Sequence, residues 1–254
     1  MSGIGRVALV TGGGTGIGRA VAQRLAREGA EFVYVNYSQS ADAAYETVAS
    51  LRELGSDGVV VQADVSDAGA VRSMIERVRE DHGRLDHLVN NAGVTELIPI
   101  PDLESVTFAV WDRLWRTNVM GAFEVTRAAA PLLRAASGSV VNIASIAGRR
   151  AVGSSLPYGV TKAAVLQLTR SLALALAPEV RVNAVSAGTV RTGWHGRLIG
   201  EEAFRSRADA ESGVVPLARL ADADDIADAV VGVLGMSFVT GEDLLADGGK
   251  GLLY

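Results

Sequence analysis

The sequence predicts an α/β protein: a mostly parallel, doubly wound sheet of about seven strands with helices on both faces. Three observations carry that prediction. Short apolar runs alternate with helical patterns along almost the whole chain, the order expected of βαβ units. The apolar runs are continuous, as strands covered on both faces require. No linker, low-complexity tract or internal repeat divides the 254 residues, so one domain over 1–254 is the simplest reading.

Val7–Val10 is the first apolar run and ends at a glycine cluster. Ile17, Val21 and Leu25 then recur at helical spacing, with Gly29 as the stop. Phe32–Val35 is the second strand, and Ala41–Leu54 a helix closed by Gly55. Val59–Val61 is the third strand; Val71, Met74, Ile75 and Val78 mark the next helix; Leu85–Val89 is the fourth strand. A helical stretch covers Val110–Arg134, followed by a strand at Val140–Ile143, a helix at Tyr158–Leu176 and a strand at Val180–Val185. Asp222–Leu234 is the last helix and Leu244–Ala246 a closing strand. Thr189–Pro216 has the weakest pattern and reads as a long loop, which in a compact domain is often a functional lid.

Composition removes whole classes of function. A formal net charge of -5 without a basic cluster leaves no electrostatic footprint for nucleic acid or for anionic lipid. The absence of cysteine excludes disulfides, thiolate metal sites, iron–sulfur clusters and a Cys nucleophile. His82, His87 and His195 have no metal-ligand spacing, so no metal is expected. No apolar run reaches the roughly 20 residues needed to span a bilayer, and Met1–Arg6 is short and polar, so the expected location is the cytoplasm.

The loop after the first strand reads Thr11-Gly-Gly-Gly-Thr-Gly-Ile-Gly18. Glycines at such a turn, here Gly12, Gly16 and Gly18, let backbone N–H groups approach a pyrophosphate at a helix N-terminus, where the helix dipole favours negative charge. The spacing is G-x-x-x-G-x-G and not the G-x-G-x-x-G of the standard dinucleotide fingerprint, and the loop lacks the G-K-[ST] ending of a triphosphate site; a glycine-rich turn without a ligand is the plainer alternative. The second strand ends in Asn36-Tyr37-Ser38. No carboxylate there repels a 2′-phosphate, and Asn36 and Ser38 can donate hydrogen bonds to one. Against this, no Lys or Arg lies between Arg27 and Arg52, although a phosphate ordinarily takes one; Arg19 is a candidate source. On balance NADP(H) is favoured, with NAD(H) as the alternative.

Further elements follow in order. Asn90-Asn-Ala-Gly93 comes after the fourth strand, Asn118 lies mid-helix, Ser145 follows the fifth strand, and Tyr158 and Lys162 come thirteen and seventeen residues after that serine. Residues at i and i+4 share a helix face, so Tyr158 and Lys162 point into one cleft. A free tyrosine has a pKa of about 10, and a nearby ammonium favours its phenolate. Taken singly, each element has a plainer reading: Ser145 as a turn residue, Asn118 as a helix-bending polar group, Asp64 as a helix N-cap.

Together they resemble the short-chain dehydrogenase/reductase family over Thr11 to Gly249, most closely its 3-oxoacyl-acyl-carrier-protein reductase-like branch. The residues that carry the resemblance are Thr11 to Gly18, Asp64-Val65, Asn90 to Gly93, Asn118, Ser145, Tyr158-Gly-Val-Thr-Lys162, Asn183 and Thr192. It implies a single Rossmann-like domain that interconverts a ketone and a secondary alcohol. By the same resemblance Gly12, Thr15, Gly16, Ile17 and Gly18 hold the pyrophosphate side. Asp64 and Val65 meet the adenine, and Asn90, Ala92 and Gly93 line the adenosine and ribose. Gly188, Val190 and Thr192 face the carboxamide. Tyr158 is the acid or base, Lys162 binds the ribose and lowers the Tyr158 pKa, Ser145 polarises the substrate oxygen, and Asn118 holds a water of the proton relay. Two departures stand out: Ala187-Gly188 replaces a common Pro-Gly, which predicts a looser loop, and Thr15 stands where many NADP-preferring relatives carry a basic residue.

A carrier protein is strongly acidic, and its reductase needs a basic docking patch. The helices around Ala128–Arg134 and Ser171–Ala177 offer Arg127, Arg134 and Arg170 amid apolar stretches. A small-molecule carbonyl reductase is therefore expected, with the carrier-protein reductase as alternative. A non-catalytic NADP(H)-binding regulator and a methyltransferase are readings of other classes. The same helices form subunit interfaces in the family, which implies a homotetramer or homodimer. The segment 189–216 is expected to shape the substrate pocket, with Trp194, His195 and Phe204 as candidate lining residues.

Overall fold

The computed structural model describes residues 6–253 apart from the side chains of His195 and Arg197; the His195 expectation and most of Met1–Arg6 therefore lie outside the described residues. The first half contains β1 (Val7–Val10), α1 (Gly16–Arg27), β2 (Phe32–Tyr37), α2 (Ala41–Glu53), β3 (Asp57–Gln62), α3 (Ala68–His82) and β4 (His87–Asn90). The second contains α4 (Phe108–Trp115), α5 (Ala122–Ala136), β5 (Ser139–Ser145), α6 (Leu156–Leu176), β6 (Arg181–Ala187), β7 (Val190–Arg191), α7 (Gly193–Ile199), α8 (Glu201–Ser212), β8 (Ala221–Asp222), α9 (Ala223–Gly235) and β9 (Asp243–Ala246). Seven strands pair in parallel in the order β3-β2-β1-β4-β5-β6-β9. The order reverses between β1 and β4, and such a switch point opens a crevice at the carboxyl ends of the strands.

Period-two alternation sends successive strand residues to opposite faces. Ala8, Val10, Val33 and Val35 pack against α1 and α9 on one side. Val7, Leu9 and Tyr34 pack toward α3, α5 and α6 on the other. This double burial is why the strands read as continuous apolar runs.

One expectation needs refining and one correcting. The helical stretch through Val110–Arg134 is present and unbroken from Phe108 to Ala136, with a detail no spacing shows: Arg116–Gly121 widens into a π-helical turn between α4 and α5. The segment 189–216 is not an irregular loop, because α7 and α8 occupy most of it. Its weak pattern has a physical origin. α8 packs only Phe204 and Ala208 inward, onto a small separate cluster with Val215 and Leu220, so few apolar positions recur.

Candidate active site

The loops after β1, β4, β5 and β6 meet in one cleft of about 1170 Å³. Its cofactor-side wall contains Gly12, Thr15, Gly16, Ile17, Tyr37, Ser38, Asp64, Val65, Ala92 and Gly93, with Gly188, Val190 and Thr192 farther along. Gly12 and Gly16 take left-handed backbone angles, φ 61° and 52°, which side chains other than glycine rarely adopt. The turn they make delivers the chain to the N-terminus of α1, whose first turn carries no acid. This cradle of free N–H ends fits a pyrophosphate.

Four expected contact residues are engaged within the protein itself. Gly18 lies behind the wall: a Cβ there would stand 2.2 Å from the Gly12 carbonyl oxygen, so this glycine lets α1 press against the loop. Asn36 reaches the wall, but its amide cannot serve a phosphate. It accepts from the Gly12 N–H at 3.2 Å and donates to the Val61 and Ala63 carbonyls at 3.2 and 3.0 Å, bolting the loop to β3. Arg19 is equally engaged, on the Gly14 and Ala43 carbonyls, Thr47 and Glu46. Asn90 turns inward to Thr126 and Asn142 at 2.9 and 2.8 Å. Its neighbour Asn91 takes the cleft position and donates to the Thr11 and Gly12 carbonyls. In Asn90-Asn91 the parity of the strand decides which side chain faces out, and the motif alone does not show where the strand stops. Asp64 is no helix cap: Asp67 caps α3, while Asp64 accepts from Ser66.

Ser145, Tyr158 and Lys162 form the floor. Ser155 caps α6 by accepting from the Tyr158 N–H at 3.3 Å, which fixes the helix phase that aims Tyr158 and Lys162 into the cleft. Gly148 lets the turn after Ser145 lie against α6, since a Cβ there would come within 2.7 Å of the Lys162 backbone. Ser145 and Tyr158 are joined by a side-chain hydrogen bond. Lys162 Nζ donates to the Ile143 carbonyl at 2.8 Å and lies 5.7 Å from the centre of the Tyr158 ring. Burial pulls the Lys162 ammonium down to about 8. Burial also pushes the Tyr158 phenol above its ordinary value, and the Ser145 hydrogen bond opposes that rise. The downward shift expected from Lys162 is therefore not the net result among the protein's own groups: desolvation dominates.

Asn118 is buried behind the floor in the π turn. Its amide exchanges hydrogen bonds with the Val94 backbone at 2.8 and 3.0 Å and donates to Thr161 at 3.0 Å. Thr161 in turn donates to the Tyr158 carbonyl at 2.8 Å. Both amide hydrogens of Asn118 are thus engaged within the protein.

At the other end, Trp194, Leu198 and Ile199 of α7 line the cleft as a lid wall. Phe204 does not: it is buried in the lid's own cluster. Gly188 donates to the Ala246 carbonyl at 3.0 Å, which ties down the loop expected to loosen without its proline. Thr189 in the wall opens the segment expected to shape the pocket, whereas Lys250, also in the wall, lies outside that segment and the sequence reading missed it. It also missed Arg113 and Arg116 at the same cleft, each paired with a carboxylate, Glu96 and Asp112.

A family model described as enoyl-(acyl carrier protein) reductase matches residues 12–250. The chain is a short-chain dehydrogenase/reductase. It is 44% identical over 248 residues to a protein named as ketoacyl reductase 2 of the granaticin polyketide synthase of Streptomyces violaceoruber, covering 97% of this chain and 96% of that one. It is 36% identical over 249 residues to the 3-oxoacyl-[acyl-carrier-protein] reductase of Staphylococcus aureus, covering 95% and 96%. Among solved structures it superposes on levodione reductase with a TM-score of 0.90 at 32% identity, covering 98% of each chain. NAD+-bound xylitol dehydrogenase gives 0.87 at 32% identity, covering 98% of this chain and all of the other. As a member of this family the protein is an oxidoreductase that uses NAD(P)(H). Among the described residues no helix is long and apolar enough to cross a membrane, and no cluster of side chains is arranged to hold a metal ion.

Proposed function

We propose that the enzyme reduces the ketone of a small or medium-sized carbonyl compound to a secondary alcohol, with NADPH as the hydride donor. The observation that carries this reading is the hydrogen-bonded Ser145–Tyr158 pair, with the Lys162 ammonium beside the tyrosine ring on the floor of the cleft. Two hydroxyls converging there form a site for one carbonyl oxygen. NADPH, when bound, supplies the hydride that adds to the carbonyl carbon. Ser145 donates to the carbonyl oxygen and stabilises the charge growing on it. Tyr158 gives that oxygen its proton, so the product leaves as an alcohol and the tyrosine is left as phenolate. Lys162 stabilises that phenolate and holds the ribose. A water at Asn118 returns the proton.

The cofactor side supports NADP(H) over NAD(H) on one remaining argument. The wall at Tyr37, Ser38, Gln39 and Ser40 offers hydroxyls and an amide and no carboxylate. With Asn36 and Arg19 engaged elsewhere, Ser38 and Ser40 are the donors for a 2′-phosphate.

The 44% identity to a polyketide ketoacyl reductase favours a second reading, in which the ketone lies on an acyl chain carried as a thioester. The cleft-lining Arg113 and Arg116 are already neutralised, which favours a free small molecule over an acidic carrier. Exposed apolar side chains on α6, Val160 and Leu174, support subunit packing through α5 and α6 and a homotetramer or homodimer. A cytoplasmic location belongs to the same reading.

The test is NADPH oxidation with a panel of free ketones, 3-oxoacyl thioesters and 2-enoyl thioesters, run beside Tyr158→Phe. Turnover of ketones by the wild type is expected, with a fall of about a thousandfold in Tyr158→Phe and NADPH affinity within about twofold. Undiminished kcat in that variant, or activity confined to the enoyl thioesters, would overturn the reading.

A further inference from the structure

Glu211 sits near the end of α8 and takes no part in the chemistry above. Its side chain is 10% exposed, yet it meets groups from three parts of the chain. Lys250, in the C-terminal turn after β9, donates to it at 2.6 Å. Thr189, in the link after β6, hydrogen-bonds to it. Arg207, one turn earlier on α8, stands at 4.0 Å. Lys250 is itself only 11% exposed, and its Nζ lies 3.4 Å from the Thr189 hydroxyl. Lys250, Thr189 and Arg207 all line the cleft.

Two charges taken out of water are costly unless they stay paired. An ion pair this buried therefore holds its two elements in one relative position. The segment that follows α8 meets the same C-terminal turn through one main-chain bond, from the Leu217 N–H to the Gly248 carbonyl at 3.1 Å. The lid's apolar residues, Phe204, Ala208, Val215 and Leu220, pack on one another and form a cluster apart from the two that cover the sheet. Gly200, at φ 86°, is the only residue between α7 and α8. Arg191 reaches Ser212 at 3.4 Å, a long and exposed contact.

We propose that Glu211 and Lys250, with Thr189, form a latch that positions the substrate lid. By fixing the end of α8 against the C-terminal turn, the latch keeps Trp194, Leu198 and Ile199 of α7 in the cleft wall. Both are positioning residues, acting on the ketone through the lid. What the lid covers is taken from the reductase reading; the latch stands on the ion pair itself.

Glu211→Gln and Lys250→Met each remove one charge at nearly constant size, and the exchange Glu211→Lys with Lys250→Glu restores a pair in reverse. Thermolysin cleavage within residues 193–212, ketone KM and kcat, and NADPH affinity are measured on the full chain. Each single variant is expected to be cut about fivefold faster there and to raise KM about fivefold, with kcat and NADPH affinity within about twofold. The exchanged variant is expected to recover most of both effects. Unchanged cleavage and KM in the singles would overturn the latch. So would an exchanged variant no better than either single, or a loss of NADPH affinity matching the loss for ketone. If a single variant fails to fold, the exchanged variant against wild type decides on the same readouts. A wild type that turns over no ketone would defeat the reductase reading, while the cleavage comparison would still judge the latch.

Discussion

Asn118 and Glu211 each join elements that meet at the cleft, and they do so in opposite ways. Asn118 uses a neutral amide, buried in a π turn, to grip a backbone donor, a backbone acceptor and Thr161 at once. Its partners lead directly to the helix that carries Tyr158 and Lys162. Glu211 uses a charge, paired across a gap between a helix and the C-terminal turn, and behind it stands only a small apolar cluster. Neutral hydrogen bonds to the main chain tolerate little displacement. An ion pair weakens more gradually with distance. The floor is thus fixed by neutral bonds to the main chain, while the lid depends for its position on one buried ion pair.

The difference is broken most severely at Asn118. Asn118→Leu removes the partners of the half-buried Val94 N–H and C=O and the donor to the buried Thr161 hydroxyl. A stability loss of about 3 kcal/mol is expected in urea unfolding. Because the floor serves every substrate, kcat should fall about a hundredfold for all accepted ketones alike. A loss confined to some ketones would place Asn118 with the lid.

Lys162 gives the next largest effect, and its sign is unusual. Its folded pKa, about 8, lies below the ordinary 10.5, so between those values the unfolded chain binds the extra proton. Stability therefore rises with pH across that window, and below about 8 the full penalty of the buried ammonium applies. Lys162→Met removes the penalty and loses the bond to the Ile143 carbonyl. At pH 7 the variant should be more stable than wild type by about 2 kcal/mol, while NADPH affinity falls about tenfold. The stability gain should shrink as pH climbs from 8 toward 10.5. A gain constant in pH would show that the buried charge is not its cause.

The same contrast explains what was legible in the sequence. The floor could be read because its residues sit at fixed offsets on regular elements: Tyr158 and Lys162 one turn apart, Ser145 at a strand end, glycines at the first turn. Orientation was harder. Asn36, Asn90 and Gly18 were placed in the right region, but each turns its side chain, or the lack of one, toward the protein. Side-chain direction at a strand end depends on where the strand stops, and no residue announces that. The lid was least legible. Its helices bury too few apolar residues to leave a period, and Glu211 finds Lys250 across 39 residues of chain.

Ser38 tests the cofactor wall, where the effect should be moderate. A carboxylate at the end of β2 would face a 2′-phosphate and accept from a 2′-hydroxyl. Ser38→Asp is expected to lower the ratio of NADPH to NADH affinity about tenfold, with thermal stability unchanged, since Ser38 is exposed. An unaltered ratio would move the 2′ position away from Ser38.

The smallest effect belongs to Leu198, a half-buried residue of the lid wall. Leu198→Ala widens the cleft by a few methylenes without touching either large core. Melting temperature should change by no more than about 2 °C. Selectivity should change more than stability: the kcat/KM ratio between a bulky and a small ketone is expected to rise about threefold to tenfold, the scale of a few methylenes in an apolar pocket. If the variant instead slowed all ketones equally, as Asn118→Leu is expected to do, the lid would be part of the reacting geometry. The division between a floor held by main-chain bonds and a lid held by an ion pair would then fail at its most exposed point.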